Sequence, residues 1–160
     1  MAAVLMLIPA VIAGVDLGIK AYVEKDVKEN EERSIWRGRG IVRKVHNHGL
    51  MLNRMEKHPL VVRLASVFAL GIVLMWQAFL MRKSGYFMEK VGASLMAGGA
   101  LSNTCDRVKK GYVVDYVAFA GKNKKISDVT FNLGDFAIFG GAVLMALGGM
   151  FSGNGKKQVL

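Results

Sequence analysis

Cysteine is all but missing from this 160-residue chain, which carries one, Cys105. A lone thiol excludes an intramolecular disulfide framework and leaves the redox compartment open. It reads as a small buried residue, since no histidine is placed to activate it as a nucleophile. Acidic residues are few, 12 against 22 Lys and Arg, for a net charge of +10 and a pI near 9.9. The basic residues are not interleaved with aromatics as a single-strand platform requires. They lie between apolar blocks instead, a distribution that fits anionic lipid head groups better than a nucleic-acid face. Metal ligands are scarce as well: His46 and His48 would point the same way on a strand, but no third ligand is fixed near them.

Apolar residues are abundant, 52% of the chain with a mean hydropathy of +0.32, and they are concentrated. Four blocks stand out, at about 1–23, 59–81, 86–105 and 131–151. Each approaches the roughly 20 residues that cross a hydrocarbon core. The first lacks the basic n-region and the A-x-A site of a cleaved signal peptide, and Pro9 falls inside it. The third is the weakest, rich in the small residues Gly92, Ala93, Ala97, Gly98, Gly99 and Ala100, which suit a helix inside a bundle. The expected fold is an all-α membrane protein, residues 1–160 forming one domain of four transmembrane helices. A β-rich loop at about 33–53, in the first long connection, is expected to hold short strands lying on the interface, since β-branched residues alternate there with a period of two.

Four antiparallel helices put both long loops on one side. There lie Asp16 and Lys20 at the end of helix 1, Asn47 in the first loop, Asn103, Asp106 and Arg107 at the end of helix 3, Asp115 beyond it, and Asn132 and Asp135 at the start of helix 4. Taken singly, Lys20, Arg63 and Lys90 read as snorkelling interfacial charges. Asp135 does not: a short carboxylate one turn inside an apolar run cannot reach water that way, and its insertion costs roughly 2.5–3.5 kcal/mol. The hairpin of helices 3 and 4 lets Asp115 face it. Two carboxylates held close share a proton and titrate as a unit, which suits aspartic proteolysis. A structural pairing with Lys20 or Arg107 explains either Asp equally well.

The motifs narrow the choice. GGALSNTCDR (98–107), VVDY (113–116) and FNLGD (131–135), in this order, resemble the GNxxDR, V-x-D-F and F-N-x-A-D pattern of the lipoprotein signal peptidases, or type II signal peptidases. DLGIK (16–20) is similar to the family's D-Q-x-x-K, and NHG (47–49) to the start of its N-x-G-A-A-F. The resemblance implies a four-helix aspartic endopeptidase of the bacterial cytoplasmic (inner) membrane, with its active site on the outer face and a small β-cradle in the first long loop. It implies removal of signal peptides from diacylglyceryl-modified prolipoproteins, cut before the lipidated cysteine, with no cofactor. Asp115 and Asp135 would be the catalytic dyad. Asn103, Arg107 and Asn132 would position substrate or support the dyad, Asp16 and Lys20 would brace the site, and Asn47 with Gly49 would line it. Asp106 reads either as an ion pair with its neighbour Arg107 or as a substrate contact. Residues 116–130 would form a flap, with KNKK (122–125) a solvated charge run. The expected partners are the lipid-modified prolipoprotein and membrane lipids, without nucleic acid, and the chain is expected to be a monomer.

The sequence departs from the pattern at Leu17, Ser102, Gly134 and 48–52. The alternative is therefore a catalytically weak or inactive paralogue acting as a lipoprotein- or lipid-binding membrane protein. A transporter or channel subunit would carry its intramembrane charges across to the second face, whereas here they stop on one side. Fifteen of the 22 Lys and Arg residues lie in the two long loops. The positive-inside rule would put that side in the cytoplasm, against the family topology.

Overall fold

The computed structural model describes residues 2–50, 55–121 and 127–154. Four long helices, α1 (Ala2–Asp26), α2 (Pro59–Met81), α3 (Phe87–Lys109) and α4 (Leu133–Asn154), carry between them the strands β1 (Arg33–Ile35), β2 (Gly40–Asn47), β3 (Val113–Phe119) and β4 (Thr130–Phe131).

Helix α3 is the axle of the bundle, packing against α1, α2 and most extensively α4. Small residues make this possible. A Cβ on Gly92 would lie 2.5 Å from the carbonyl oxygen of Gly141, and one on Gly99 would collide with the carbonyl of Gly134. Two glycine pairs, one heptad apart on each helix, thus bring the α3 and α4 backbones into contact, as small residues do between helices in lipid. Gly134, a departure from the family pattern, is one half of such a pair.

Among the described residues, three helical segments are long and apolar enough to cross a membrane: Val4–Asp26, Pro59–Met81 and Leu133–Phe151. Outward side chains such as Met6, Phe68, Met75, Phe139 and Met150 are more than 60% exposed, a surface that only lipid would solvate well. The expectation of four transmembrane helices is thus narrowed to three apolar ones. Helix α3 is as long as α2, but it carries Glu89, Lys90, Ser94, Ser102, Asn103, Thr104 and Asp106, all buried. Its polar residues are turned into protein, so lipid hydropathy is not demanded of them. Gln77 of α2, for example, donates to Ser94 Oγ at 3.0 Å.

The sheet differs from a cradle confined to the first long loop. All four strands form one antiparallel sheet in the order β1-β2-β3-β4, half of it from the second long connection. Strand β3 is the buried centre: Val113, Val114, Asp115, Tyr116 and Ala118 are all buried. It occupies the beginning of the stretch expected to be a flap, and KNKK lies outside the described residues. A break in register between Val42 and Val45 interrupts the β2–β3 pairing. Val114 and Tyr116 close a small core against Val23 of α1 and Val27 just beyond it, so the sheet sits on the end of that helix.

Candidate active site

The start of α4 is built by a reciprocal cap. The Asn132 Oδ1 accepts from the Asp135 N–H at 2.9 Å, and Asp135 Oδ2 accepts from the Asn132 N–H at 3.1 Å. This is the capping-box arrangement with Asn and Asp in its two places, satisfying donors that a helix start leaves free. Asp135 lies in the first turn, where the helix dipole favours negative charge. The carboxylate that looked misplaced in an apolar run therefore has a local structural reason to be there.

Asn132 also turns outward to the sheet. Its Nδ2 donates to Asp115 Oδ1 at 2.6 Å, so one residue holds both carboxylates, that of Asp115 through its side chain and that of Asp135 through its backbone N–H. Asn47 Nδ2 donates to the other oxygen of Asp115 at 3.1 Å, and Asn103 Nδ2 donates to Asp135 Oδ1 at 2.9 Å. Burial, and then the charge of Asp135, push the Asp115 carboxyl up to about 7, against the pull of the Asn47 and Asn132 amides. Asp115 is 4% exposed and Asp135 is half-buried.

Below the carboxylates lies a closed network. Lys20 Nζ pairs with Asp16 Oδ2 at 2.8 Å and donates to Asn103 Oδ1 at 2.7 Å and Ser102 Oγ at 3.0 Å. Holding the Asn103 oxygen leaves its NH₂ facing Asp135. Two hydroxyls converge on Asp16, Ser102 Oγ at 2.5 Å and Tyr116 OH at 2.9 Å, and the Tyr116 oxygen in turn accepts the Leu133 N–H at 2.9 Å. Burial and the Asp16 carboxylate push the Tyr116 phenol up, which keeps it a donor. Lys20 and Asp16 are wholly inaccessible. The snorkelling reading of Lys20 is thus corrected: its ammonium has four polar partners inside the protein, counting Asp106 at 3.6 Å. Lys90 is also buried, donating to the Lys83 carbonyl at 2.6 Å, whereas Arg63 is exposed.

Asp106 does not pair with Arg107. It binds Lys110 at 3.0 Å and accepts the Val114 N–H at 3.2 Å, fixing the turn from α3 into β3. Arg107 instead donates through Nη2 to the Gly49 carbonyl at 3.0 Å, and the Gly49 N–H is held by Asn47 Oδ1 at 3.1 Å. The first loop is thereby tied to α3 beside Asp115. Cys105 is half-buried rather than fully enclosed.

The structure thus brings all ten residues singled out in the sequence into one connected set. Sequence reasoning missed Tyr116, although it follows Asp115 directly, and a cluster on the far face of β2. There His46 Nε2 lies 3.1 Å from Glu24 Oε1, Tyr112 OH donates to the same oxygen at 3.2 Å, and the His46 and Tyr112 rings are 4.2 Å apart. Among the described residues, no group of three or more His, Cys, Asp or Glu could hold a metal ion.

The chain is similar to known proteins in sequence and in fold. The sequence model of the signal peptidase (SPase) II family matches residues 8–151. A lipoprotein signal peptidase of Xanthomonas campestris pv. campestris is 29% identical over 156 residues, covering 96% of this chain and 92% of that protein. One from Lactiplantibacillus plantarum is 31% identical over 136 residues, covering 84% of this chain and 85% of that protein. A solved bacterial membrane enzyme superposes with a TM-score of 0.83 at 19% identity over 99% of this chain and 94% of that one. A second reaches 0.71 at 21% identity over 91% of each. By the span of the family match, this multi-pass membrane protein belongs to the signal peptidase II family.

Proposed function

We infer that the protein is a membrane aspartic endopeptidase that removes signal peptides from diacylglyceryl-modified prolipoproteins, cleaving before the lipidated cysteine, with Asp115 and Asp135 as the dyad. The observation that carries the dyad is the Asn132 amide, hydrogen-bonded to both residues. Near neutral pH the pair holds one proton. The ionised carboxylate takes a proton from water as the water oxygen attacks the scissile carbonyl, while the protonated partner gives its proton to the carbonyl oxygen. Collapse of the tetrahedral intermediate returns the hydroxyl proton to the carboxylate that donated it and expels the amine, which receives the proton taken from water, so the pair returns to its starting state.

The supporting residues follow from their bonds. Asn47, Asn103 and Asn132 orient the carboxylates, while Asp16 and Lys20 brace Asn103 and the start of α4. Arg107 holds the Gly49 segment at the side of the site, and Asp106 secures the turn that delivers Asp115. The inactive lipoprotein-binding alternative is not favoured, since both carboxylates and their donors are in place.

We further propose that α3 is a fourth span. It matches α2 in length, 23 residues, and lies among the three apolar helices with its polar side chains turned inward. Residues 1–160 then form one monomeric domain in the bacterial inner membrane with the dyad at the outer face. A reporter fused after Leu160 tests the orientation: the proposal requires a cytoplasmic C-terminus, and an outside one contradicts it. The activity is tested with the purified full chain in lipid and a diacylglyceryl-modified prolipoprotein, read by mass spectrometry. Cleavage directly before the lipidated cysteine is expected, and binding without cleavage would favour the binding-protein reading.

A further inference from the structure

The β1–β2 hairpin ends in an unusual tip. Trp36, Arg37 and Gly38 are consecutive left-handed residues, with φ of 51°, 57° and 85°. Only glycine takes that conformation freely, and strained non-glycine residues concentrate where a segment is held for a binding role. Here the indole is seated on the backbone of Gly40, where a Cβ would come 2.5 Å from Trp36 Cε3. The seat leaves Trp36 58% exposed, and Arg37 and Arg39 on either side of Gly38 are exposed too.

A chain of rings ties this tip to the head of α4. Trp36 stacks on Phe119 at 6.4 Å, and Phe119 meets Phe136 edge-on at 6.1 Å. Phe136 belongs to the first turn of the apolar segment Leu133–Phe151, and Phe139, 73% exposed, continues its outward face along the helix. Phe119 therefore packs at the first turn of α4, and Trp36, stacked on Phe119, is tied through it to the head of that apolar segment. The charges match that position. Arg33 and Arg43, at the other end of the hairpin, are neutralised by Glu31 at 2.7 Å and Glu32 at 3.3 Å. Among the described residues no ion pair holds Arg37 or Arg39.

From these observations we propose that Trp36, Arg37 and Arg39 form a docking surface for the head groups of anionic phospholipids at the bilayer surface beside α4. The indole occupies the interfacial layer, where tryptophan is enriched, and the two guanidinium forks engage lipid phosphates. The surface goes beyond the peptidase reading, and rests only on α4 lying in the membrane.

Trp36 reports on this directly. In the full chain carrying Trp76→Phe it is the only tryptophan, so its quenching by neutral acrylamide can be compared in phosphatidylcholine nanodiscs with and without phosphatidylglycerol. Adding the anionic lipid is expected to lower the quenching constant about two-fold. Arg37→Glu/Arg39→Glu should abolish the change, and Lys25→Glu/Lys28→Glu, equal in net charge, should retain it. Far-UV circular dichroism and an unchanged thermal unfolding midpoint verify that the variants are folded. Equal quenching in the two bilayers would overturn the proposal. So would protection that survives Arg37→Glu/Arg39→Glu, or that is lost as fully in Lys25→Glu/Lys28→Glu.

Discussion

Asn132 and Asp135 cap each other at the start of α4, and the same Asn132 side chain reaches Asp115 at 2.6 Å. Helix initiation and the alignment of the two carboxylates are thus one structural event.

The two roles of Asn132 can be separated. Asn132→Ala should lose the cap, about 1 kcal/mol of stability, and most of the peptidase activity. Asn132→Ser restores an N-cap acceptor but is too short to bridge to Asp115. Thermal unfolding in detergent should therefore recover in the Ser variant while kcat stays at least about ten-fold down. Joint recovery would mean that Asn132 acts only as a cap.

The pH profile follows from the raised Asp115 carboxyl. Its folded value of about 7 lies above the ordinary 3.8, so the proton is held up to about pH 7. Activity should fall as pH rises through about 7, when the general acid is lost. The stability that Asp115 contributes through this proton is likewise full below 3.8 and lost through the same upper range. The Asn47 amide favours the ionised form, so Asn47→Ala should move the alkaline limb of kcat against pH upward. A downward move would contradict the assignment.

The Asp16–Lys20 pair is wholly buried, so removing one partner strands the other. Lys20→Met should destabilise by about 3–5 kcal/mol, and Asp16→Asn in the same chain should recover part of the loss. Unfolding midpoints of the single and double variants measure this. Additive losses would show that the two charges do not depend on each other.

Glycines in α4 should split by what faces them. A methyl on Gly134 meets Asn132 Oδ1 and Asp16 Oδ2 at 3.0 Å and the Gly99 carbonyl at 3.1 Å, while one on Gly140 meets nothing within 4 Å. Gly134→Ala should destabilise by about 1–3 kcal/mol, whereas Gly140→Ala should be neutral or stabilising by about 0.5–1 kcal/mol. Thermal shift in detergent distinguishes them.

These contacts explain which parts of the fold were legible beforehand. The apolar blocks betray helices because lipid demands hydropathy, and α3 fell short of that demand because protein surrounds its polar residues. Asp135 stood out as a carboxylate in an apolar run and Asp115 as the residue that the hairpin lets face it, whereas the capping role of Asn132, at N-x-x-D spacing from Asp135, went unread. Lys20 was misread because burial depends on partners more than 80 residues away, Ser102 and Asn103. Asp106 and Arg107 are neighbours in sequence, but successive helical residues point in different directions and do not face each other. Val113–Phe119 has the β-branched and aromatic content of a strand, yet its pairing with β2 crosses two helices, which local pattern does not reveal.

The most direct test of the dyad is single-turnover cleavage of a diacylglyceryl-modified prolipoprotein by wild type, Asp115→Asn and Asp135→Asn, all verified as folded. Each substitution is expected to abolish cleavage, by about 10³-fold or more, while the bound substrate is retained. Cleavage by either variant at the wild-type rate would contradict the proposed dyad.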